Sequence, residues 1–285
     1  MTAIILYAGK MLIPESTEVS EMILESQQKP PAPGTVHLDL KYRGILHPDA
    51  QLDIYAPLKI YTPGEAPLVV FFHGGSWVHG DKITIRIIDR FLNRLRENGY
   101  FVAAVNYRCS VFSGLKGPVK NGQAAVKWLI KNADNYGFDK ENIGLYGVSA
   151  GGHIALMTET EFRNQHCISL VLAECAPTDI NAMADGEAFA SSDLLNKFPA
   201  RYLSRYSPVN YTSTDMAPVL IYHGDADKIV HVNQAYRLND AITNAGGYAE
   251  LEIYEQGTHA FLDMSDELWY EQETRALVFM EKFFY

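Results

Sequence analysis

The sequence predicts an α/β fold: a mostly parallel central sheet with helices on both faces and small lid elements. Three observations carry that expectation. Continuous apolar runs at 68–72, 101–105, 168–172 and 219–222 have the pattern of strands buried on both faces. Segments of helical period lie between them, at 84–98, 118–136, 150–164 and 231–246. Strands that alternate with helices in this way are joined by crossovers, and crossovers join parallel strands.

The elements follow in chain order. Residues 1–35 hold one helical candidate, 15–28, and then Pro30-Pro31-Ala32-Pro33-Gly34; this extension is a candidate lid. Segments 36–42 and 52–55 alternate with period 2 and read as half-exposed antiparallel strands, with Pro57 and Pro63 marking the turns. After the runs at 68–72 and 101–105 and their helices, a short apolar strand at 143–146 passes into the helix that begins near Ala150. Residues 180–206 interrupt the alternation. Insertions at strand C-termini tend to cover the ligand crevice, so this is a second candidate lid. A short strand at 251–254 and a closing helix at 266–284 complete residues 36–285 as one domain, with no repeat or linker.

Composition narrows the function. A chain of 285 residues with 47% hydrophobic content can bury a large single core. A formal net charge of −10 excludes the basic stripe that a nucleic-acid binder needs. The three cysteines (Cys109, Cys167 and Cys175) lack framework spacing, and Cys167 and Cys175 bracket an apolar strand as small buried hydrophobes. The first residues carry no basic segment, Lys10 interrupts their apolar run, and no stretch is long enough to span a bilayer. The expected setting is therefore the reducing cytoplasm, with a small-molecule partner and homo-oligomerisation left open. His-Glu-x-x-His, Cys-x-x-Cys, Walker-A and Gly-x-Gly-x-x-Gly patterns are all missing, so neither metal nor cofactor is expected.

The chemistry concentrates in four places. Gly147-Val148-Ser149-Ala150-Gly151-Gly152 places a serine at a strand–turn–helix corner, where a sharp backbone holds its hydroxyl outward. His73-Gly74-Gly75-Ser76-Trp77 follows a buried strand, and its bare backbone can approach a reacting carbonyl. The amide of Gly74 or Gly75, with that of Ala150 at the helix start, would stabilise an oxyanion. The plain alternative for the Gly-Gly pair alone is a tight turn. Ser76 is a candidate donor to substrate, and Trp77 a packing residue or pocket wall. His223-Gly224-Asp225-Ala226-Asp227 offers two aspartates to orient an imidazole; Asp225 sits near the strand end and can cap the turn, so Asp227 is favoured. Among nine histidines, His259 alone lies in a loop after a C-terminal strand and before the last helix, the place for a general base. His153, one helical turn past the serine, and His73 and His223, at strand ends, read as scaffold residues.

Together these motifs resemble the α/β-hydrolase superfamily, and within it the small serine esterases of the hormone-sensitive-lipase and feruloyl/acetyl-xylan esterase branches. Asn106-Tyr107-Arg108, Gly80-Asp81, Ser207-Pro208 and Gly257-Thr258-His259-Ala260-Phe261 complete the likeness, which covers roughly residues 36–285. The resemblance implies a Ser149–His259–Asp227 triad in the chain order of that fold, and it makes Asn106, Tyr107 and Arg108 structural. It implies a cofactor-independent carboxylic-ester hydrolase acting on short, acetyl-like esters of carbohydrates or aryl alcohols. The alternatives are an amide-type hydrolase, such as an arylformamidase or small peptidase, and an inactive binding protein on the same fold. One departure is visible: the lipase branch has His-Gly-Gly-Gly where this chain has His-Gly-Gly-Ser, which touches pocket shape and leaves the substrate open.

Overall fold

A computed structural model of the chain describes residues 32–44, 47–87, 89–109, 114–183, 195, 197–261 and 264–284. The strands are β1 (Val36–Lys41), β2 (Gln51–Tyr55), β3 (Ala66–Phe72), β4 (Phe101–Val105), β5 (Phe138–Val148), β6 (Ile168–Glu174), β7 (Val219–Gly224) and β8 (Ala249–Tyr254). They form one sheet in the order β1-β2-β4-β3-β5-β6-β7-β8. β2 runs antiparallel to both of its neighbours, and β3 to β8 are parallel. The helices are α1 (Thr84–Ile87), α2 (Asp89–Glu97), α3 (Lys116–Tyr136), α4 (Ala150–Phe162), α5 (Ile180–Ala182), α6 (Ala200–Arg205), α7 (Asn233–Asn244) and α8 (Asp266–Phe284).

Alternation along each strand divides the core in two. In β3, Leu68, Val70 and Phe72 pack with α3, α4 and α7, while Val69 and Phe71 pack with α2 and α8. Every residue of β3 and β4 is buried, as continuous apolar runs require when both faces are covered. The parallel strands all end at one edge, where the loops after β3, β5, β6, β7 and β8 meet. In sheets of this type that edge is where ligands bind.

The N-terminal pair corrects one expectation. β1 is exposed along most of its length, but β2 is buried at every position except Gln51. The alternating polar position, Asp53, does not face water. Because β2 lies between β1 and β4, Asp53 is fully buried and its Oδ1 accepts the Asp39 amide at 2.8 Å. Its Oδ2 accepts the Tyr55 hydroxyl at 3.1 Å, and Lys82 Nζ lies 2.8 Å from Oδ1. A period of 2 records which residues share a face; it does not say whether that face is wet.

Of the candidate lids, residues 1–31 and 184–194 lie outside the described residues. The described part of 180–206 is packed down: Ser207 Oγ accepts the Ile180 amide at 2.9 Å, and the rings of Phe198 and Tyr202 stack 4.5 Å apart. No helix among the described residues is long and apolar enough to cross a membrane.

Removing one partner of a buried ion pair strands the other charge at a cost of about 3–5 kcal/mol. Lys82→Met should therefore lower the unfolding free energy by about 3 kcal/mol, read from urea denaturation at neutral pH.

Candidate active site

Ser149 joins β5 to α4 at φ 57° and ψ −122°, a backbone conformation that a side chain rarely adopts, at a cost of about 1–3 kcal/mol. Close backbone packing holds it there. A Cβ on Gly147 would come 2.2 Å from the Gly151 carbonyl carbon, and one on Gly151 would come 2.0 Å from the Phe72 carbonyl oxygen. The first turn of α4 is thus seated directly on the ends of β3 and β5. The Ser149 amide donates to the Glu174 carbonyl at 2.8 Å, which ties the corner to β6 as well.

The two loops that carry Asp227 and His259 also meet backbone to backbone. A Cβ on Gly224 would lie 2.0 Å from the Gly257 carbonyl oxygen, and the Ala226 amide donates to that oxygen at 3.1 Å. Asp225 accepts the Gln256 amide at 2.6 Å and so braces the two loops. Asp227 is the aspartate that meets the imidazole: its Oδ2 lies 2.7 Å from His259 Nδ1. Its Oδ1 accepts the amides of Ile229 and Val230 at 2.8 and 2.9 Å, and His223 Nε2 lies 3.3 Å from Oδ2. Burial alone would raise the Asp227 carboxyl. The hydrogen bonds from His223, His259 and Val230, with the charge of His259, outweigh burial and hold it well below the usual carboxylate range. An ionised Asp227 keeps the proton on His259 Nδ1 and leaves Nε2 as the acceptor facing Ser149 Oγ, 2.9 Å away.

On the opposite side, Gly74 passes over the serine; a Cβ there would lie 3.5 Å from Ser149 Cβ. Gly75, Ser76 and Trp77 follow at φ 118°, 51° and 62°, a left-handed run in which only the glycine is unstrained. Trp77 anchors this run and does not wall the pocket, which corrects that half of the expectation. It is 1% exposed and its Nε1–H donates to His153 Nδ1 at 3.1 Å. His153 in turn donates from Nε2 to the Tyr206 carbonyl at 2.7 Å. Burial pushes His153 down to about 4, so it stays neutral and can accept from Trp77. His73 stacks on Tyr107 at 4.2 Å, and Tyr107 Oη donates to the His73 carbonyl at 2.9 Å. Asn106 donates to Asp81 at 3.0 Å. These residues brace the loop as the resemblance implied; Arg108, by contrast, is exposed. Ala150 opens α4, where the first amides have no partner within the helix.

Residues 52–242 match the BD-FAE family, about two thirds of the chain. The chain belongs to the BD-FAE family. Esterase LipC of Mycobacterium tuberculosis is 25% identical over 79% of this chain and 62% of its own length. An arylesterase of Saccharolobus solfataricus is 29% identical over 68% of this chain and 59% of its own length. The chain thus spans about three fifths of the length of these relatives. Among solved structures, a truncated carbohydrate esterase from gut microbiota superposes with a TM-score of 0.69 at 23% identity, over 86% of this chain and all of that one. The fold is that of the α/β hydrolases.

In this BD-FAE chain a pocket of about 950 Å³ opens over Ser149 and His259. Gly74, Gly75 and Ser76 form one wall, so Ser76 does face the ligand space. The described residues of 180–206 line none of it. Cys175, Asp227 and His259 bring potential ligand atoms within 4.8 Å of one another. They make a poor metal site: burial pushes the Cys175 thiol well up, away from the thiolate a metal needs, and the other two hold each other.

Sequence reasoning missed Glu174, Arg90, Trp269 and Glu273, which line the same pocket. Glu174 had left a signal, as the one charged residue at the end of the apolar strand ISLVLAE. Arg90 and Glu273 had left none, since they come from helices 183 residues apart and pair only in the fold, at 3.0 Å. Glu174 is 2% exposed. Burial pushes its carboxyl up to about 7, against the opposing pull of Tyr146, His259 and Gln272.

That shift fixes the sign of a stability effect. Glu174 keeps its proton to about pH 7 when folded, whereas an ordinary carboxyl loses it near 4.5. The folded state therefore binds the extra proton between those values, and stability falls as pH rises through that window. Glu174→Gln cannot ionise. The stability of this variant relative to wild type should rise by about 3 kcal/mol between pH 4 and pH 8, read from denaturant titrations of both proteins at each pH.

Proposed function

We propose that the chain is a carboxylic-ester hydrolase working through a covalent acyl-enzyme on Ser149. The observation that carries this reading is the unbroken line Asp227–His259–Ser149, with steps of 2.7 and 2.9 Å, ending at a serine on a strained elbow in the pocket. In this reading Ser149 Oγ attacks the ester carbonyl while His259 Nε2 takes its proton. The tetrahedral oxyanion sits against the amide of Gly74 or Gly75 and that of Ala150. Collapse expels the alcohol, which receives its proton from His259. A water activated by the same imidazole then attacks the acyl-serine, and the acid leaves as Ser149 regains its proton. Asp227, ionised throughout, fixes the tautomer and stabilises the imidazolium.

The relatives support an ester substrate, since LipC and the arylesterase are both named as esterases. Short acyl groups on a sugar or an aryl alcohol fit a pocket whose rim carries Ser76, His79, Thr84 and Arg90. The gut-microbiota protein that superposes on this chain is a carbohydrate esterase, which favours the sugar.

Ser149→Ala should lower kcat on p-nitrophenyl acetate by at least about 10⁴-fold and abolish labelling by a fluorophosphonate probe, while the circular dichroism spectrum stays native. Substantial turnover by this variant would overturn the assignment. Rates on matched acetanilides, measured beside the esters, tell an esterase from an amidase.

A further inference from the structure

Glu174, a buried carboxyl that the proposed hydrolysis does not use, lines the pocket. Glu174 closes β6, in register with Val148 of β5 and Tyr222 of β7. Like Leu170 and Leu172 before it, it lies on the α2 and α8 side of the sheet, below the strand end that presents Ser149. Its carboxyl oxygen Oε2 accepts the Tyr146 hydroxyl at 2.8 Å, which holds it from β5.

Glu174 also borders a second, small cavity with room for about one water, which Gln272 of α8 lines too. That cavity is largely apolar, with Phe91, Leu172 and Ala276 in its wall. Glu174, Trp269 and Glu273 border both spaces and form the partition between them. Glu273 is fixed by Arg90 and Arg94 at 3.0 and 2.8 Å. Of the three, Glu174 is tied directly to the nucleophile, through its carbonyl and the Ser149 amide.

Given the ester-hydrolase reading, on which this rests, we infer that Glu174 is the length stop of the pocket. Its side chain closes the arm that runs from Ser149 toward α8, so the substrate group lying in that arm is short and meets a hydrogen-bonding carboxyl at its end. A longer chain cannot push the carboxyl aside without breaking its bond to Tyr146. Nor does a methylene pressed against a carboxyl gain what it would gain against hydrocarbon. Cutting the side chain back to Cβ joins the arm to the apolar cavity, where each further methylene should be worth about fourfold in kcat/KM.

The test uses the full chain and two ester series: p-nitrophenyl esters from acetate to octanoate, and acetates of straight-chain alcohols from methyl to hexyl. Wild type should fall sharply beyond about four carbons in one series, which identifies the group that occupies the arm. Glu174→Ala should move that fall outward by about two carbons, with a gain of about tenfold or more at the longer chain relative to acetate. Glu174→Val, which refills most of the space with an apolar side chain and keeps the variant foldable, should move it by about one carbon. Glu174→Gln, of the same shape, should keep the wild-type cut-off. Ala and Val profiles that run parallel to wild type in both series would overturn the inference, as would a Gln variant that shifts the cut-off as far as Ala does. Wild type that fails to hydrolyse either acetate would sink the ester-hydrolase reading instead.

Discussion

The site depends on backbone approaching backbone where no side chain fits. Gly147 and Gly151 let the first turn of α4 rest on β3 and β5, and that contact pins Ser149 at a positive φ. Without it the serine would relax toward an ordinary conformation and its hydroxyl would lose its line to His259. Gly224 and Gly257 repeat the device on the other side, where the loops after β7 and β8 cross in direct contact. Two such contacts fix Ser149 and the His259–Asp227 pair on one rigid sheet edge, although Ser149 and His259 stand 110 residues apart in sequence.

The wall formed by Gly74, Gly75 and Ser76 is built on a different principle. Ser76 and Trp77 occupy left-handed conformations that neither residue favours, so something must over-determine them. The indole of Trp77 does so, by donating to a histidine that burial keeps neutral and that is itself fixed by the Tyr206 carbonyl. A residue one helical turn past the nucleophile thereby holds the loop that faces the nucleophile. Loop and elbow are positioned as one unit.

Sequence made this frame legible because its parts are local. Gly147 to Gly152, His73 to Trp77 and the Asp and His loops are short contiguous motifs, and each follows an apolar run that reads as a strand. Period and apolar content located every parallel strand, yet they misjudged β2, because Asp53 is buried by what lies beside it in the sheet and by its pairing with Lys82. Trp77 could be assigned to packing or to the pocket from sequence, and only its partner His153 decides between them. Arg90, Trp269 and Glu273 were illegible, since their place in the pocket comes from how α2 and α8 cover one face of the sheet. No periodicity encodes which side chains of two distant helices will meet.

Two carboxyl groups flank the reacting centre, and their environments separate their roles. Asp227 receives hydrogen bonds from Ile229, Val230 and His259 with His223 beside it, enough to hold it ionised despite burial. Glu174, as deeply buried, receives the Tyr146 hydroxyl, and burial keeps its proton on to about pH 7. Charge balance gives this asymmetry a reason. In the proposed hydrolysis, attack on an ester would place a full negative charge at the oxyanion while His259 became positive, and Asp227 would already supply the anion that the imidazolium needs. A second permanent anion below Ser149 would oppose the oxyanion at short range in a site where water screens little. A neutral carboxyl would avoid that repulsion. On the proposed reading, the scarcity of donors around Glu174 is therefore what lets a polar residue line this pocket without working against the chemistry beside it.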